Sequence, residues 1–388
     1  MAAPGRALAI VSLGVLLASS TWFSGTAAAR ELIEAWSLTS GEAALLTNAT
    51  QVGFILGTLI YALGNLADRF EARRVFAWSA LAGAAFNLGF AWWAEGLPVA
   101  LGFRLLTGIS LAGVYPVGMK IVASWFSEGL GWRLGVLVGC LTLGTAFPYA
   151  ITALELGFDW RTLASVASIA AMIAALLVRF AIAEGPLLRG RARLDLRVAF
   201  AVFRHPPFRA TAFGYFGHMW ELYALWSLSS FWLLDCLRDD STWTARIPWL
   251  AFATVAIGAL GCVVGGLLSR RIGERDVALI ALLGSAAMGL GSGFAASLPG
   301  PWLLGYLLIW GLLVVADSPQ FSALAARHAP PEYTGTALTV QNGLGFLVTV
   351  LAIQTLPWLA GQLGWRWILT ILAIGPLLGA WSLRRLPR

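Results

Sequence analysis

Charged residues are scarce in this sequence, and lysine is almost missing. Of 388 residues, 12% are charged and 59% are hydrophobic, whereas a soluble domain carries roughly 25% charged residues. The composition argues against a water-soluble enzyme and indicates a chain that lies in lipid. Lys120 is the only lysine, so the net charge of +7 comes from arginines in short loops between apolar stretches. That distribution is typical of membrane topology and not of nucleic-acid binding.

Cysteines and catalytic or nucleotide-binding motifs are equally sparse. The three cysteines, Cys140, Cys236 and Cys262, lie in or near apolar runs, which gives neither a disulfide framework nor metal-ligand spacing. The glycines from Gly289 to Gly293 follow no predicted strand, and no Walker loop occurs, so ATP-driven chemistry has no support. No Ser/His, paired-Asp or metal-ligand constellation lies at membrane depth. We predict no enzyme, no cofactor and no metal, and keep an intramembrane enzyme or receptor as the alternative class.

The sequence has instead a series of long apolar stretches. A membrane helix needs about 20 residues, and twelve stretches approach or exceed that length. They leave room for short connectors but for no sizeable soluble domain. The predicted spans cover residues 7–29, 43–66, 75–94, 98–120, 133–154, 162–182, 208–234, 248–268, 277–296, 301–322, 336–358 and 366–383. The sequence therefore predicts an all-α membrane protein with twelve transmembrane helices.

The first stretch partly resembles a cleavable signal peptide. Arg6, the apolar run 7–18 and the small residues Ala27–Ala29 fit such a leader. The apolar character continues through Trp22 and Phe23, however, to about 23 residues, which is long enough to span a bilayer. We predict a first membrane helix here, and a cleaved leader is the alternative.

The arginines predict on which side of the membrane each loop lies. An even number of spans puts both chain ends on the same side. With that side taken as the cytoplasm, 20 of the 26 lysine and arginine residues lie on it, five lie outside and Arg104 lies within a span. This asymmetry satisfies the positive-inside rule. We therefore predict a bacterial-type inner-membrane protein with both termini in the cytoplasm.

The sequence also divides into two halves. The longest connector, residues 183–207, separates an N-terminal bundle at 1–182 from a C-terminal bundle at 208–388, each with six predicted helices. The connector contains five arginines, and its simplest interpretation is a basic amphipathic segment on the anionic inner leaflet. The lipid bilayer is thus an expected partner of the chain.

Two pairs of matching segments indicate that the halves are related. The segment 64–74 has a counterpart at 266–275, and the segment 157–161 has a counterpart at 364–367. Both pairs are separated by about 200 residues. Two repeats at nearly the same offset predict a duplicated six-helix unit, and duplicated membrane bundles commonly enclose a binding site at their interface.

The loop after the second predicted span resembles a motif of the major facilitator superfamily of secondary transporters. In that family the loop typically reads Gly-x-x-x-Asp-Arg-x-Gly-Arg-Arg/Lys. Five residues correspond to it: Gly64, Asp68, Arg69, Arg73 and Arg74. Glu71 departs from the motif, because glycine is usual there. In the fourth span, Arg104-Leu-Leu-Thr-Gly108 is similar to the family's Arg-x-x-x-Gly element, which is often tied to proton coupling.

The resemblance implies two pseudo-symmetric six-helix bundles, alternating access and a role of the matched loop in the conformational change. It also implies a monomer, because the fold usually works alone. Two departures limit a finer assignment. The fifth span has Gly135, Gly139 and Pro148 but lacks the Gly-Pro pair of the family's antiporters. The second and eighth spans lack the arginine that nitrate carriers of the family typically place there.

Five ionisable side chains are predicted to lie within the membrane, where a charge without partners is costly. They are Arg104, Lys120, His218, Glu221 and Asp317. A rise of about 1.5 Å per residue puts Arg104 at the depth of Glu221, and Lys120 near that of Asp317. We hypothesise an outer latch from the first pair and an inner latch from the second, broken alternately as the halves move. The alternatives are charges satisfied by their own surroundings, a Lys120 that snorkels to the surface and an Asp317 that caps a helix end.

The acidic residues favour protons as the coupling ion. His218 and Glu221 are three residues apart and share one helical face, and a histidine near a carboxylate can transfer a proton around neutral pH. A histidine held by hydrogen bonds between helices is the alternative. Coupling to sodium stays an open alternative, and sodium would prefer a cage of carboxylate and carbonyl oxygens.

Polar and aromatic side chains inside other spans are candidates for contact with a solute. They are Trp22, Tyr115, Tyr149, Trp310, Gln341 and Asn342. Packing and hydrogen bonds between helices are the alternative explanation. Arg104 favours an anionic solute unless it is latched to an acid. We expect a transporter of a small organic solute or anion, with efflux of hydrophobic compounds as the alternative, and the substrate and direction stay open.

Overall fold

The computed structural model describes residues 4–64, 66–126, 130–154, 159–187, 201–330 and 333–386, with residues 67, 68 and 334 described in their backbone only. Every regular element in these ranges is helical, which confirms the predicted all-α fold class. The chain forms two compact units, Met1–Leu196 and Arg197–Arg388. Their boundary falls inside the predicted connector 183–207. The connector's arginines at 189, 191, 193 and 197 lie outside the described residues, as do Gly157 and Phe158 of the second predicted repeat.

The first unit contains ten helices in its described part. They are α1 (Pro4–Ser19), α2 (Ser24–Ala27), α3 (Ala29–Trp36), α4 (Ser40–Leu63), α5 (Leu66–Arg69), α6 (Ala72–Trp93), α7 (Leu97–Leu111), α8 (Tyr115–Ala123), α9 (Leu130–Ala153) and α10 (Trp160–Ala181). The first predicted span corresponds to α1 and α2 together, and the fourth to α7 and α8. The other four spans correspond to α4, α6, α9 and α10.

The second unit contains eight α-helices and two 3₁₀ helices in its described part. They are a 3₁₀ helix (Ala201–Arg204), α11 (Pro206–Cys236), α12 (Ser241–Thr244), α13 (Ile247–Ile272), α14 (Glu274–Ala295), α15 (Gly300–Ala316), α16 (Ser318–His328), α17 (Thr334–Leu363), a second 3₁₀ helix (Ile368–Ala373) and α18 (Ile374–Leu383). The tenth predicted span corresponds to α15 and α16, and the twelfth to the second 3₁₀ helix and α18.

Helix length and surface composition are those of a membrane protein. Nine helical segments of the described residues are long and apolar enough to cross a membrane, and two shorter apolar helices cover Pro4–Ser19 and Ile368–Leu383. The remaining predicted span, α11, is 31 residues long. Bulky apolar side chains face outward, since Trp78, Phe180 and Trp302 are 71–74% exposed. Such exposure suits contact with lipid and not with water.

The first predicted span is not one continuous helix, contrary to the sequence prediction. The helix α1 ends at Ser19, and α2 begins at Ser24. In the interruption, the hydroxyls of Ser20 and Thr21 donate hydrogen bonds to the carbonyls three residues earlier, at 2.6 and 2.9 Å. Such short-range bonds offer the backbone an alternative to the regular helical ladder. The run of hydroxyl side chains therefore explains why the helix stops here.

The fourth and tenth spans are each interrupted near their C-terminal ends. Three residues separate α7 from α8, and one residue separates α15 from α16. Pro116 and Pro319 lie at the beginning of the second helix in each case. Proline has no amide hydrogen and disfavours helical geometry in the residue before it. Each span is therefore broken at the corresponding place in its unit.

Each unit contains a pair of helices in very close contact. The helix α4 packs along α7, and α13 packs along α15. A Cβ atom added to Gly108 would lie 2.1 Å from the carbonyl oxygen of Thr50, and one added to Gly311 would lie 2.0 Å from that of Thr254. No side chain fits at either position, so glycine is required for the two backbones to approach.

These glycines belong to a third repeat, which sequence analysis missed. The segment 101–108 reads Leu-Gly-Phe-Arg-Leu-Leu-Thr-Gly, and the segment 304–311 reads Leu-Gly-Tyr-Leu-Leu-Ile-Trp-Gly. The two segments are identical at four of eight positions. Their last glycines make the equivalent close contact in each unit, which supports a duplicated six-helix unit.

The repeated loops after the second and eighth spans also make equivalent contacts. The guanidinium of Arg73 donates to the carbonyl of Ile182, directly after α10, at 3.2 Å. The guanidinium of Arg275 donates to the carbonyl of Leu383, at the end of α18, at 3.3 Å. A cation suits both places, because the last carbonyls of a helix lack partners and carry partial negative charge. Each arginine thus bonds the end of the last helix of its own unit.

Candidate functional site

The first unit holds a buried polar cluster centred on Arg104 of α7, whose side chain is fully buried. Its Nη1 donates to the carbonyl of Thr21 at 3.0 Å, the hydroxyl of Ser24 at 3.0 Å and the amide oxygen of Asn87 at 2.8 Å. Its Nη2 donates to the carbonyl of Trp22. The guanidinium thus joins α7 to α6 and to the interruption between α1 and α2.

The interrupted first span and the buried guanidinium are complementary. The carbonyls of Thr21 and Trp22 lie where the helix is broken, and a buried carbonyl without a donor is costly. Arg104 donates to both of them. A Cβ atom added to Gly25 would lie 3.2 Å from Nε of Arg104. The backbone of α2 therefore packs directly against the guanidinium.

Asn87 of α6 positions this cluster, a role that sequence analysis did not predict. Its Oδ1 accepts hydrogen bonds from Arg104 and from the hydroxyl of Ser24, the latter at 2.7 Å. Its Nδ2 donates to the carbonyl of Ala164 at 2.8 Å and to the hydroxyl of Ser168 at 3.0 Å, both on α10. An asparagine in an apolar helix indicates hydrogen bonds to neighbouring helices, but only the fold shows which helices supply the partners.

The positive charge of Arg104 has no acidic partner in the described part of the first unit. Its hydrogen-bond partners are neutral carbonyl, hydroxyl and amide groups, and its Nε has no hydrogen-bond partner among the described residues. Dipoles compensate a buried charge only in part, so such a cation attracts an anion. The predicted outer latch to Glu221 would join the two units, and it stays a prediction.

The second unit holds a polar cluster centred on Glu221 of α11, whose side chain is 1% exposed. Its Oε2 accepts a hydrogen bond from the hydroxyl of Ser285 in α14 at 2.8 Å. Its Oε1 accepts one from the indole Nε1 of Trp310 in α15 at 2.7 Å. Donors on both oxygens stabilise the carboxylate. Trp310, predicted as a solute contact, therefore bonds the candidate coupling residue, whereas Ser285 was not predicted.

One turn earlier on α11, His218 pairs with Asp317. The distance between Nδ1 of His218 and Oδ1 of Asp317 is 2.8 Å, and the two side chains are 1% and 2% exposed. The Nε2 of His218 has no hydrogen-bond partner among the described residues. Asp317 lies at the N-cap position of α16, but its side chain makes no capping hydrogen bond. The predicted inner latch from Asp317 to Lys120 would join the two units and stays a prediction.

The remaining predicted residues of the first unit lie on three elements. Trp22 and Tyr149 are buried, and the Trp22 ring lies 4.9 Å from that of Phe54 between centroids. Tyr115 begins α8, and Lys120 lies in the same helix with 8% exposure. Their proposed contact with a solute stays a prediction.

Buried side-chain amides are the remaining polar groups that could contact a solute. Gln341 of α17 is 2% exposed, its Oε1 has no hydrogen-bond partner among the described residues, and Asn342 beside it is half-buried. Gln51 of α4 is fully buried, and neither of its amide heteroatoms has a partner in the described part of the chain. Buried amides normally find partners. Gln51 is therefore an additional candidate for contact with a polar solute.

The loop that carries the family motif is held by ion pairs within the first unit. The carboxylate of Glu71 lies 3.0 Å from Nε of Arg73 and 3.1 Å from Nε of Arg74. Partial burial raises the pKa of Glu71, but the hydrogen bonds and charges of the two arginines together hold this pKa below its usual value. The backbone amide of Arg73 donates to Glu184 at 3.0 Å. The usual glycine is thus replaced by an acid that joins two loop arginines.

Three further motif residues complete this loop. Gly64 lies at the C-cap of α4. Arg69 is exposed at the end of α5, and the side chain of Asp68 lies outside the described residues. The role of the loop in a conformational change stays a prediction.

Comparison with known families shows the class of protein to which this fold belongs. The Major Facilitator Superfamily family model matches residues 9–353. The match covers well over half of the chain, and the chain therefore belongs to the major facilitator superfamily. The resemblance drawn from the loop motif is confirmed, and the protein is a membrane transporter of small solutes.

Two curated relatives are transporters. The niacin transporter NiaP of Acinetobacter baylyi is 26% identical over 174 residues, which are 42% of this chain and 37% of that protein. The inner membrane metabolite transport protein YgcS of Escherichia coli is 25% identical over 396 residues, covering 90% of this chain and 83% of that protein. The match to NiaP thus spans little more than a third of that relative's length.

Solved structures share the fold over the whole chain. The proton:xylose symporter XylE with bound 6-bromo-6-deoxy-D-glucose aligns with a TM-score of 0.78 at 15% identity, covering 99% of this chain and 96% of that chain. The nucleoside transporter NupG aligns with a TM-score of 0.74 at 14% identity, covering 97% and 98%. At these identities the likeness shows the fold alone.

Proposed function

We propose that this protein is a proton-coupled secondary transporter that moves a small organic solute or anion across an inner membrane by alternating access. The family and the fold support solute transport. The observation that supports proton coupling is the titratable cluster of the second unit. Its members Glu221, His218 and Asp317 are all buried, and intramembrane acids are rarely kept without a function.

The cluster has the parts needed to hold and release a proton inside a membrane. Two donors, Ser285 and Trp310, bond the carboxyl of Glu221. Charge-assisted hydrogen bonds are stronger than neutral ones, so loss of the proton tightens these bonds and protonation loosens them. The protonation state of Glu221 therefore sets how firmly α11 is held to α14 and α15. This is a physical link between a proton and helix movement.

The neighbouring histidine supplies a second site for a proton. His218 uses one ring nitrogen towards Asp317, while Nε2 has no hydrogen-bond partner among the described residues. An imidazole nitrogen in this position can accept a proton or a hydrogen bond from a solute. Protonated His218 would keep the negative charge of Asp317 compensated. The pair therefore supports a proton relay alongside Glu221.

A small carboxylate is the solute class that the polar groups support best. Arg104 is a buried cation without an acidic partner in the described part of the first unit, and Gln51 of the same unit carries amide atoms without partners among the described residues. An anionic, hydrogen-bonding solute would satisfy groups of this chemistry. The relative NiaP is a transporter of niacin, a carboxylate. We therefore propose small organic carboxylates as the first class to test.

A thermal-shift screen of the purified full-length protein tests this proposal. Niacin and other carboxylates, sugars, nucleosides and lipophilic cations are compared at about pH 6 and about pH 8. We expect stabilisation by carboxylates, with an affinity that weakens by up to about tenfold per pH unit as the pH rises, because one bound proton is linked to solute binding. Glu221→Gln, which fixes the side chain in a neutral form, should bind the carboxylate with a much smaller pH dependence.

Asp239→Asn is the matched control, because it removes a 96% exposed carboxyl of the same unit. It should keep the pH dependence of the unchanged protein. An unaltered pH dependence in Glu221→Gln would remove Glu221 from proton coupling. Stabilisation by lipophilic cations alone would contradict the proposed solute class and favour efflux of hydrophobic compounds.

A further inference from the structure

A separate cavity of about 490 Å³ lies in the second unit, between the beginning of α11 and the end of α18. Its lining includes Arg209 and Phe213 of α11, and Leu378, Trp381 and Ser382 of α18. Arg385, two residues after the end of α18, also lines it. The hydroxyl of Ser382 donates to the carbonyl of Ala210 at 3.1 Å. This bond joins the two helices beside the cavity. None of the candidate transport residues lines it.

The cavity carries two positive charges that nothing in the described residues neutralises. Arg209 and Arg385 are both exposed, and neither forms an ion pair within the described part of the chain. The guanidinium carbon of Arg385 lies 3.9 Å from the ring centroid of Trp381. Stacking on an aromatic ring orients a guanidinium and leaves its N–H groups available at the edge. Arg209 lines the same cavity, and two arginines with available N–H groups are suited to a phosphate group.

The cavity wall is apolar beyond the arginines. Phe213, Trp381 and Leu378 are 52%, 58% and 61% exposed. Phe213 follows Arg209 by one turn, and Leu378 precedes Arg385 by about two turns, or roughly 10 Å along the helix. The order from the helix ends inward is therefore charge, aromatic ring and aliphatic side chain. This order matches that of phosphate, interface and acyl chain in a lipid leaflet.

We propose that this cavity binds one anionic phospholipid, with its phosphate between Arg209 and Arg385 and an acyl chain along Trp381 and Leu378. The exposed apolar wall favours a lipid over a soluble anion, which would leave that wall uncovered. The arginine distribution predicts that both helix ends lie at the cytoplasmic face, where anionic lipids attract basic residues. The bound lipid would hold together the first and last helices of the second unit.

Native mass spectrometry of the full-length protein tests this site. The protein is purified from nanodiscs that contain either phosphatidylglycerol or phosphatidylcholine. We expect one retained phosphatidylglycerol per chain and little phosphatidylcholine. The double variant Arg209→Gln/Arg385→Gln should retain phosphatidylglycerol at least about tenfold less well, because both phosphate contacts are lost.

A second double variant, Arg204→Gln/Arg384→Gln, is the matched control. It removes the same charge from exposed neighbouring positions that do not line the cavity, and it should retain the lipid like the unchanged protein. Equal loss of bound lipid in both double variants would show that lipid retention depends only on the net charge of the surface, and would overturn the site. Displacement of the lipid by millimolar inorganic phosphate would also overturn it, in favour of a soluble anion. If the double variant does not fold, Arg209→Gln and Arg385→Gln are measured singly, and each should lower lipid retention.

Discussion

The guanidinium of Arg104 replaces hydrogen bonds that the first span loses where its helix is interrupted. It donates to the carbonyls of Thr21 and Trp22 and, together with Asn87, fixes the hydroxyl of Ser24. Lysine has a single ammonium group on a flexible stem and cannot reproduce this planar set of donors. Arg104 thus has a structural role, because it bonds the local backbone, in addition to its proposed role in attracting an anion.

Replacement of Arg104 should therefore destabilise the folded protein. In Arg104→Gln, the carbonyls of Thr21 and Trp22 each lose a hydrogen bond from a charged donor, although the hydroxyl of Ser24 still donates to the carbonyl of Thr21 at 3.1 Å. The total cost should be about 1–3 kcal/mol. Arg104→Lys should fall between this variant and the unchanged protein, because one ammonium group restores part of the bonding. The measurement is thermal unfolding of the purified protein in detergent.

Arg30→Gln is the control for this series, because the Arg30–Glu34 ion pair is long, at 3.8 Å, and mostly exposed. Its effect should stay within about 0.5 kcal/mol. An Arg104→Gln variant that unfolds at the same temperature as the unchanged protein would contradict the proposed structural role.

At the level of single residues, the sequence predicted which titratable side chains are buried but not their partners. The rarity of charge inside apolar spans was enough to find Glu221, His218 and Asp317. Their bonding depends on which helix face meets which neighbour, and one residue along a helix turns the side chain by about 100°. Predicted span ends are too uncertain to resolve such a rotation. The His218–Asp317 pair and the role of Ser285 therefore needed the fold.

At the scale of helices, the two units use the same contacts at equivalent places. Pro116 and Pro319 begin the second part of an interrupted span, and Gly108 and Gly311 allow a backbone carbonyl of the neighbouring helix to approach. The segments 101–108 and 304–311 escaped detection because four identities in eight mostly apolar residues differ little from chance. Their equivalence emerges from the shared contact.

These glycines provide a matched set of four variants. Gly108→Ala and Gly311→Ala should each destabilise the protein by about 1–3 kcal/mol or more, since the added Cβ meets a backbone carbonyl that cannot rotate away. Gly102→Ala and Gly305→Ala lie six residues earlier on the same helices, where nothing lies within 4 Å of an added Cβ. They should be neutral or slightly stabilising, because alanine favours the helix.

Thermal unfolding in detergent separates the two pairs. Equal behaviour of all four variants would show that close helix approach at Gly108 and Gly311 does not limit stability. If only one of Gly108→Ala and Gly311→Ala lowered the unfolding temperature, the repeated segments would not be structurally equivalent.

For the protein as a whole, the composition and hydropathy of the sequence predicted most of the architecture. Twelve apolar stretches and a division inside residues 183–207 follow from local hydropathy and length, which do not depend on the tertiary fold. Interruptions of single helices were missed, because the spans with Pro116 and Pro319 and the hydroxyl-rich first span remain apolar throughout. The family assignment rests on the loop motif and on the match to residues 9–353.

Coupled flux in proteoliposomes shows whether protonation of Glu221 drives solute movement. The full-length protein is reconstituted with a pH-sensitive dye inside, and uptake of labelled niacin, or of the carboxylate that stabilises the protein most, is followed under an imposed inward proton gradient. We predict that the gradient accelerates uptake and that solute addition acidifies the lumen. Glu221→Gln should lose both effects but keep exchange of solute for solute, while Asp239→Asn should behave like the unchanged protein. Gradient-driven uptake that persists in Glu221→Gln would show that Glu221 does not couple protons to solute movement.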